Sequence, residues 1–142
     1  MTIITCVYIN TKQFKKTVNF YTLLLEKEIE RIFEDRWAQI KITDDIRLGF
    51  LNVEYDRRMI EKGKNLEQHY NEEFIKNMPK NYTTGNSIIL NLKTDNILDE
   101  YNRVKKIAPN YISELQYVNF IFPYNFFIIK DPEGNIIEIA DA

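Results

Sequence analysis

One cysteine, one histidine, four glycines and four prolines are all that this 142-residue sequence has of the residues that most often carry cross-links, metals and tight turns. Cys6 has no second cysteine to pair with, so an internal disulfide framework is excluded; this agrees with a reducing compartment, and a cytoplasmic protein is expected. His69 is the single imidazole, which leaves little material for acid–base chemistry near neutral pH. There is no Gly-rich phosphate loop, no Ser-His-Asp spacing and no Cys-x-x-Cys pair. No stretch approaches ~18 uninterrupted apolar residues, so no membrane span is expected. Residues 1–6 lack a basic leader and a long apolar core, so no signal peptide is expected. The formal net charge of -2 gives no global field for nucleic acid. Lys15 and Lys16, like Lys105 and Lys106, sit beside apolar helical positions and read as solvated helix faces.

What is present is a globular composition: 44% hydrophobic and 28% charged residues. The length suits one domain, 1–142, large enough to bury a core. Nine tyrosines, nine phenylalanines and one tryptophan supply more ring surface than a core of this size needs, so some rings are candidates to line a pocket.

Periodicity divides the chain. Residues 3–9 read as a strand, Asn10 or Thr11 as a helix cap, and Phe14, Val18, Tyr21 and Leu25 as one helical stripe. Strand candidates follow at 29–33, 37–42 and 46–51, with Asp44-Asp45 as a polar break. The order then recurs: a strand from Ser87 to residue 93, a cap at Asp95 or Asn96, and a stripe of Ile97, Tyr101, Val104 and Ala108 stopped by Pro109 and Asn110. Three more strands are expected at 111–116, 126–130 and 136–140. An offset of 83 residues separates Phe14 from Ile97, Val18 from Tyr101 and Tyr21 from Val104. The modules are about 1–52 and 86–142, joined by a polar connector, 53–85, in which Leu66, Tyr70 and Phe74 predict a short amphipathic helix. The connector reads as a surface link, a lid or an arm on a partner.

The chain closes on Phe127-Ile128-Ile129-Lys130-Asp131-Pro132-Glu133-Gly134-Asn135-Ile136-Ile137-Glu138-Ile139, two apolar arms around a tight turn. With Phe20-Tyr21 on the first helix and Asp131-Pro132-x-Gly134-Asn135-x-x-Glu138 at the end, the whole chain resembles the vicinal oxygen chelate superfamily, which includes glyoxalase I, bleomycin-resistance proteins and extradiol dioxygenases. The resemblance implies an α+β fold: two tandem βαβββ modules whose curled mixed sheets face each other to form a cup. It also implies a homodimer and, in the metalloenzymes, four His, Glu or Gln ligands on the first and last strand of each half, holding a Lewis-acidic metal.

Tested residue by residue, the first-strand place falls on Cys6, its counterpart near Ile89 or Ser87, and the last strand of the first half offers Gly49 or Phe50. Glu138 alone keeps a ligand type, and His69 lies in the connector. One carboxylate and one thiol fall short of a divalent site, so no metal and no cofactor are expected, with Cys6 and Glu138 as vestigial positions. Where many relatives carry a Pro-Trp-Gly-like turn and an arginine, this chain has Ile121-Phe122-Pro123-Tyr124-Asn125.

Trp37, Arg47, Phe50, Phe122, Tyr124 and Glu138 are the candidate ligand-binding residues. Trp37 reads as a stacking ring or as core or dimer contact. Arg47 reads as an anion partner or a surface residue. Glu138 reads as a site acid or a strand residue left from metal-binding ancestors. Cys6 reads as a small buried residue rather than a nucleophile. The rings of Phe120, Phe122, Tyr124, Phe126 and Phe127 must divide between two faces in a register the sequence leaves open. The expectation is a metal-free binding protein of the bleomycin-resistance type, sequestering a small, partly aromatic ligand in an apolar cup, with no catalytic residues. The alternative is a glyoxalase-like or dioxygenase-like metalloenzyme with atypical ligands, and a third reading is a module whose cup is filled by its own side chains.

Overall fold

A computed structural model describes residues 1, 3–85, 88–119 and 122–142. Of the residues named above, Ser87, Phe120 and Ile121 lie outside the described residues. The elements run β1 (Cys6–Thr11), α1 (Phe14–Leu25), β2 (Arg31–Phe33), β3 (Trp37–Lys41), β4 (Arg47–Asn52), α2 (Val53–Lys62), α3 (Glu72–Lys76), β5 (Leu90–Lys93), α4 (Ile97–Lys105), β6 (Tyr111–Ile112), β7 (Gln116–Asn119), β8 (Pro123–Lys130) and β9 (Ile136–Ala140), with one turn of 3-10 helix at Leu66–Gln68. The class is α+β, and the expected order of elements is present in both halves. The described chain forms two compact units, Met1–Lys15 with Glu28–Thr83 and Lys16–Lys27 with Thr84–Ala142, so most of α1 groups with the second. No helix is long and apolar enough to cross a membrane.

In the first unit a four-stranded sheet runs β1-β4-β3-β2. β1 pairs with β4 in parallel from Cys6↔Arg47 to Thr11↔Asn52, and β4 pairs antiparallel with β3. The parallel register starts β1 at Cys6 rather than residue 3, leaving Ile3 and Ile4 exposed. Alternation then sorts the side chains. Ile9, Thr11, Ala38, Ile40, Leu48, Phe50 and Asn52 share one face; Ala38, Ile40 and Phe50 on it are fully buried. Cys6, Tyr8, Asn10, Arg47, Gly49, Leu51, Trp37 and Gln39 share the other.

The expected helix through Leu66, Tyr70 and Phe74 is not one element. The chain breaks at Asn71, whose side chain caps α3 by accepting from Phe74 N at 2.9 Å. The main helix of the connector is α2, capped by Asn52 and closed by Gly63 in the left-handed conformation.

In the second unit a sheet runs β5-β9-β8-β6, with β7 also on β8. The strand expected at 111–116 is two strands. Tyr111 pairs with Lys130 and Gln116 with Phe126, so one residue more lies on the first side than on the second. This is a β-bulge. Ser113 holds it: its Oγ accepts from Ile128 N at 2.9 Å and donates to Glu114 O at 2.8 Å, while Tyr101 OH donates to its carbonyl at 3.0 Å. Because β7 then pairs as far as Pro123, β8 begins there instead of at Phe126. Asn96 is the cap of α4, and the helix ends before Pro109, with Ala108 at φ 57°. The terminal hairpin closes around Asp131, with Gly134 at φ 85°.

Candidate functional site

The polar face of the first sheet is ordered around the indole of Trp37. Its ring meets Tyr8 edge-on at 5.6 Å between centroids and 65° between planes. It lies across Gly49, where a Cβ would stand 2.5 Å from Trp37 Cζ2 and closer still to Cη2. The indole N–H donates to Gln39 Oε1 at 3.0 Å, and Gln39 Nε2 donates to Glu30 Oε1 at 2.7 Å. Arg47 completes the chain: its Nε and Nη2 grip both Glu30 oxygens at 2.9 and 3.0 Å, and its Nη1 donates to the carbonyls of Thr43 and Asp44. The Arg47 bonds, and then Gln39, hold the Glu30 carboxyl below the usual carboxylate range.

Arg47 is therefore engaged on four sides. It ties the β3–β4 turn to Glu30 and, through Glu30 and Gln39, fixes the indole, rather than standing free for an anionic ligand. Phe50 is fully buried on the opposite face of the sheet from Trp37 and Arg47. The one-residue step from Gly49 reverses its direction, so it belongs to the core and not to this surface.

The row across β1, β4 and β3 that contains Trp37 runs Asn10–Leu51–Trp37. Asn10 Oδ1 is the buried side-chain atom among the described residues that finds no hydrogen-bond partner. A buried acceptor without a donor costs about 1–3 kcal/mol, so its persistence calls for a reason. Asn10 or Thr11 was expected as a helix cap, but both lie on β1; the alternation of Asn10 with Tyr8 was the signal that could have placed it on the face of the sheet.

In the second unit Glu138 stands on β9 beside Asn91, whose Nδ2 donates to Glu138 Oε1 at 2.7 Å. The first-strand place was expected near Ile89; the register sets Asn91 opposite Glu138, and Ile89 is exposed ahead of β5. The 83-residue offset carries Asn91 back to Tyr8, paired with Gly49, and not to Cys6. Tyr124, Phe126 and Ile128 share the Glu138 face of the sheet. Phe122 lies 5.8 Å from the Tyr124 ring and is 51% exposed. Phe127 points the other way and is fully buried against Tyr101.

Read through these registers, the places that the resemblance implies fall on Tyr8 and Gly49 in the first sheet and on Asn91 and Glu138 in the second. The Cys6 thiol is free and burial pushes its pKa up, the reverse of an activated nucleophile. Among the described residues no group of three or more His, Cys, Asp or Glu side chains is placed to hold a metal ion. Taken sheet by sheet, Tyr8 with Gly49 offers a phenol and no second donor, and Asn91 with Glu138 an amide and one carboxylate; neither pair is the donor set of the divalent metal that the resemblance implies.

No family model matches the sequence, and no curated protein matches it. Solved structures do match. A lactoylglutathione lyase from Agrobacterium tumefaciens is 11% identical, with a TM-score of 0.64 over 100% of this chain and 95% of that one. A glyoxalase/bleomycin resistance protein/dioxygenase family enzyme from Burkholderia phytofirmans PsJN is 16% identical, with a TM-score of 0.63 over 99% and 98%. An integron cassette protein from the mobile metagenome of V. cholerae is 17% identical, with a TM-score of 0.63 over 99% and 95%. This chain carries the vicinal oxygen chelate fold of the glyoxalase, bleomycin-resistance and dioxygenase proteins.

Proposed function

We propose that the chain is a metal-free small-molecule-binding protein of the bleomycin-resistance type, holding a partly aromatic ligand by stacking and burial without turning it over. The observation that carries this reading is the pairing of an oriented indole with a buried, unpartnered acceptor in one row of one sheet. Trp37 offers a ring platform whose own N–H is already bonded to Gln39, and Asn10 Oδ1 awaits a donor. Together they match a flat ligand carrying an N–H or O–H group at its edge. Tyr124 and Glu138 offer further ring and carboxylate contacts on their own sheet, with Phe122 just ahead of β8. The donor types at Tyr8 and Gly49, and at Asn91 and Glu138, favour this reading over the metalloenzyme alternative. Exposed Ile3 and Ile4 are apolar surface that a second copy would cover, and a homodimer belongs to the same proposal.

A panel of aromatic metabolites and glycopeptide drugs, screened without added metal, tests this. A ligand that binds the native state raises Tm progressively with its concentration, by about 2.7 kcal/mol of stabilisation at a hundredfold excess over Kd. It must also change Trp37 emission. Compounds that move Tm only when a divalent ion is added would contradict the proposal.

A further inference from the structure

A pocket of about 450 Å³ opens in the first unit at the β2–β3 turn, where Phe33, Tyr55 and Tyr70 supply rings, Met59 a thioether, and Glu34, Arg36 and His69 polar groups. The volume suits a small organic molecule. Its hydrogen-bond donors are largely committed. Arg36 donates through Nε and Nη2 to the buried Asp56 at 2.8 and 3.1 Å, a bidentate pair that cancels its charge. Tyr70 OH donates to Asp56 Oδ1 at 2.6 Å, and Tyr55 OH donates to Glu34 Oε2 at 2.5 Å. Both phenols keep their protons: burial and then Asp56 push Tyr70 up to about 12, and the bond to Glu34 raises Tyr55.

Apart from the His69 imidazole, what faces the pocket is therefore acceptors and ring surface. Glu34 is the charge left over. Its partner is a phenol, and among the described residues it has no ion pair. It also sits at φ 48°, in the three-residue β2–β3 loop bridged by Arg36 N to Phe33 O at 3.1 Å, a backbone conformation that normally selects glycine or asparagine. Such backbone strain at a glutamate is retained where the side chain has a task. The protein already places one cation near these rings: the Arg58 guanidinium lies 6.0 Å from the centre of Tyr55.

We infer that this pocket binds an organic cation, a substituted ammonium on a small apolar body, with Glu34 as counter-ion and the rings of Phe33, Tyr55 and Tyr70 around the charge. An anion would find the Arg36 charge spent on Asp56 and Glu34 repelling it. The pocket adjoins the Trp37 surface, because Phe33 pairs with Trp37 across β2 and β3, but the inference does not depend on ligand binding at that surface.

Benzyltrimethylammonium is the test ligand, with phenylacetate as its anionic counterpart and benzyl alcohol as the neutral one. The chain has three methionines, so a ¹³C-methyl methionine spectrum isolates Met59. The cation is expected to shift the Met59 methyl saturably, with a Kd of about 1 mM or tighter, while the other two give no saturation below about 10 mM. Glu34→Gln keeps the shape and should weaken the cation about tenfold or more. Glu34→Gly should do the same in a folded chain, because it relieves the positive φ. Absence of saturation by the cation, equal binding of phenylacetate, or an unchanged Kd in Glu34→Gln would each overturn the inference.

Discussion

Asp131→Ala is expected to destabilise the protein by about 3–5 kcal/mol, enough to approach or exceed half the stability of an ordinary domain. Asp131 is fully buried and serves four donors: Tyr21 OH at 2.7 Å, the backbone N–H groups of Glu133 and Asn135 at 2.9 and 2.8 Å, and Asn135 Nδ2 at 2.7 Å. One side chain thus knits α1 to the closing turn and shapes the turn itself. Removing it strands several buried donors at once, whereas Tyr21→Phe removes one and should cost about 1–2 kcal/mol. Burial, and then the Asp131 charge, push the Tyr21 phenol far above its ordinary pKa, so it keeps its proton and donates at neutral pH. Denaturant unfolding of both variants measures the two costs. An Asp131→Ala protein within about 1 kcal/mol of the parent would show that the turn is held by its backbone alone.

Gly49→Ala carries the second large effect, and it falls on binding more than on stability. The new methyl would occupy the space of the indole edge and stand 3.0 Å from Tyr8 Cβ. The far end of the Trp37 ring is what can move, so the ring leaves its contact with Tyr8 and its bond to Gln39. Overpacking of this kind costs about 1–3 kcal/mol. Ligand affinity at this face should fall by more than about tenfold, since a stacked ring contributes on the order of 1 kcal/mol beyond its buried area and orientation is lost with it. Trp37 is the only tryptophan, so its emission reports the displacement directly as a red shift. Unchanged emission and affinity in Gly49→Ala would remove the indole from the site.

The parts of the fold that were legible in the sequence are those written in short-range periods. Of the two stripes, Phe14, Val18, Tyr21, Tyr101 and Val104 are buried as expected, Leu25 and Ile97 are half-buried, and Ala108 is exposed beyond the end of α4. The hairpin around Asp131-Pro132-Glu133-Gly134-Asn135 carries its own turn chemistry. What escaped depends on partners far along the chain. Phe50 and Gly49 cannot be assigned to faces until β4 is registered against β3, and one step decides between core and site. Arg47 read as a free cation because its partner, Glu30, lies 17 residues away across the sheet. The bulge at Ser113 is a long-range bond to β8, which a run of strand-forming residues conceals. α2 was missed because 53–85 read as a polar connector, although Asn52 and Gly63 mark the two ends of the helix.

The central claim, that this fold binds its ligand without a metal, meets its most direct test in elemental analysis of protein purified without chelator, followed by titration with Zn²⁺, Mn²⁺ and Co²⁺. The prediction is well under one divalent ion per chain and no Tm increase that Glu138→Ala abolishes. About one tightly held ion per chain, lost together with the Tm increase in Glu138→Ala, would contradict it.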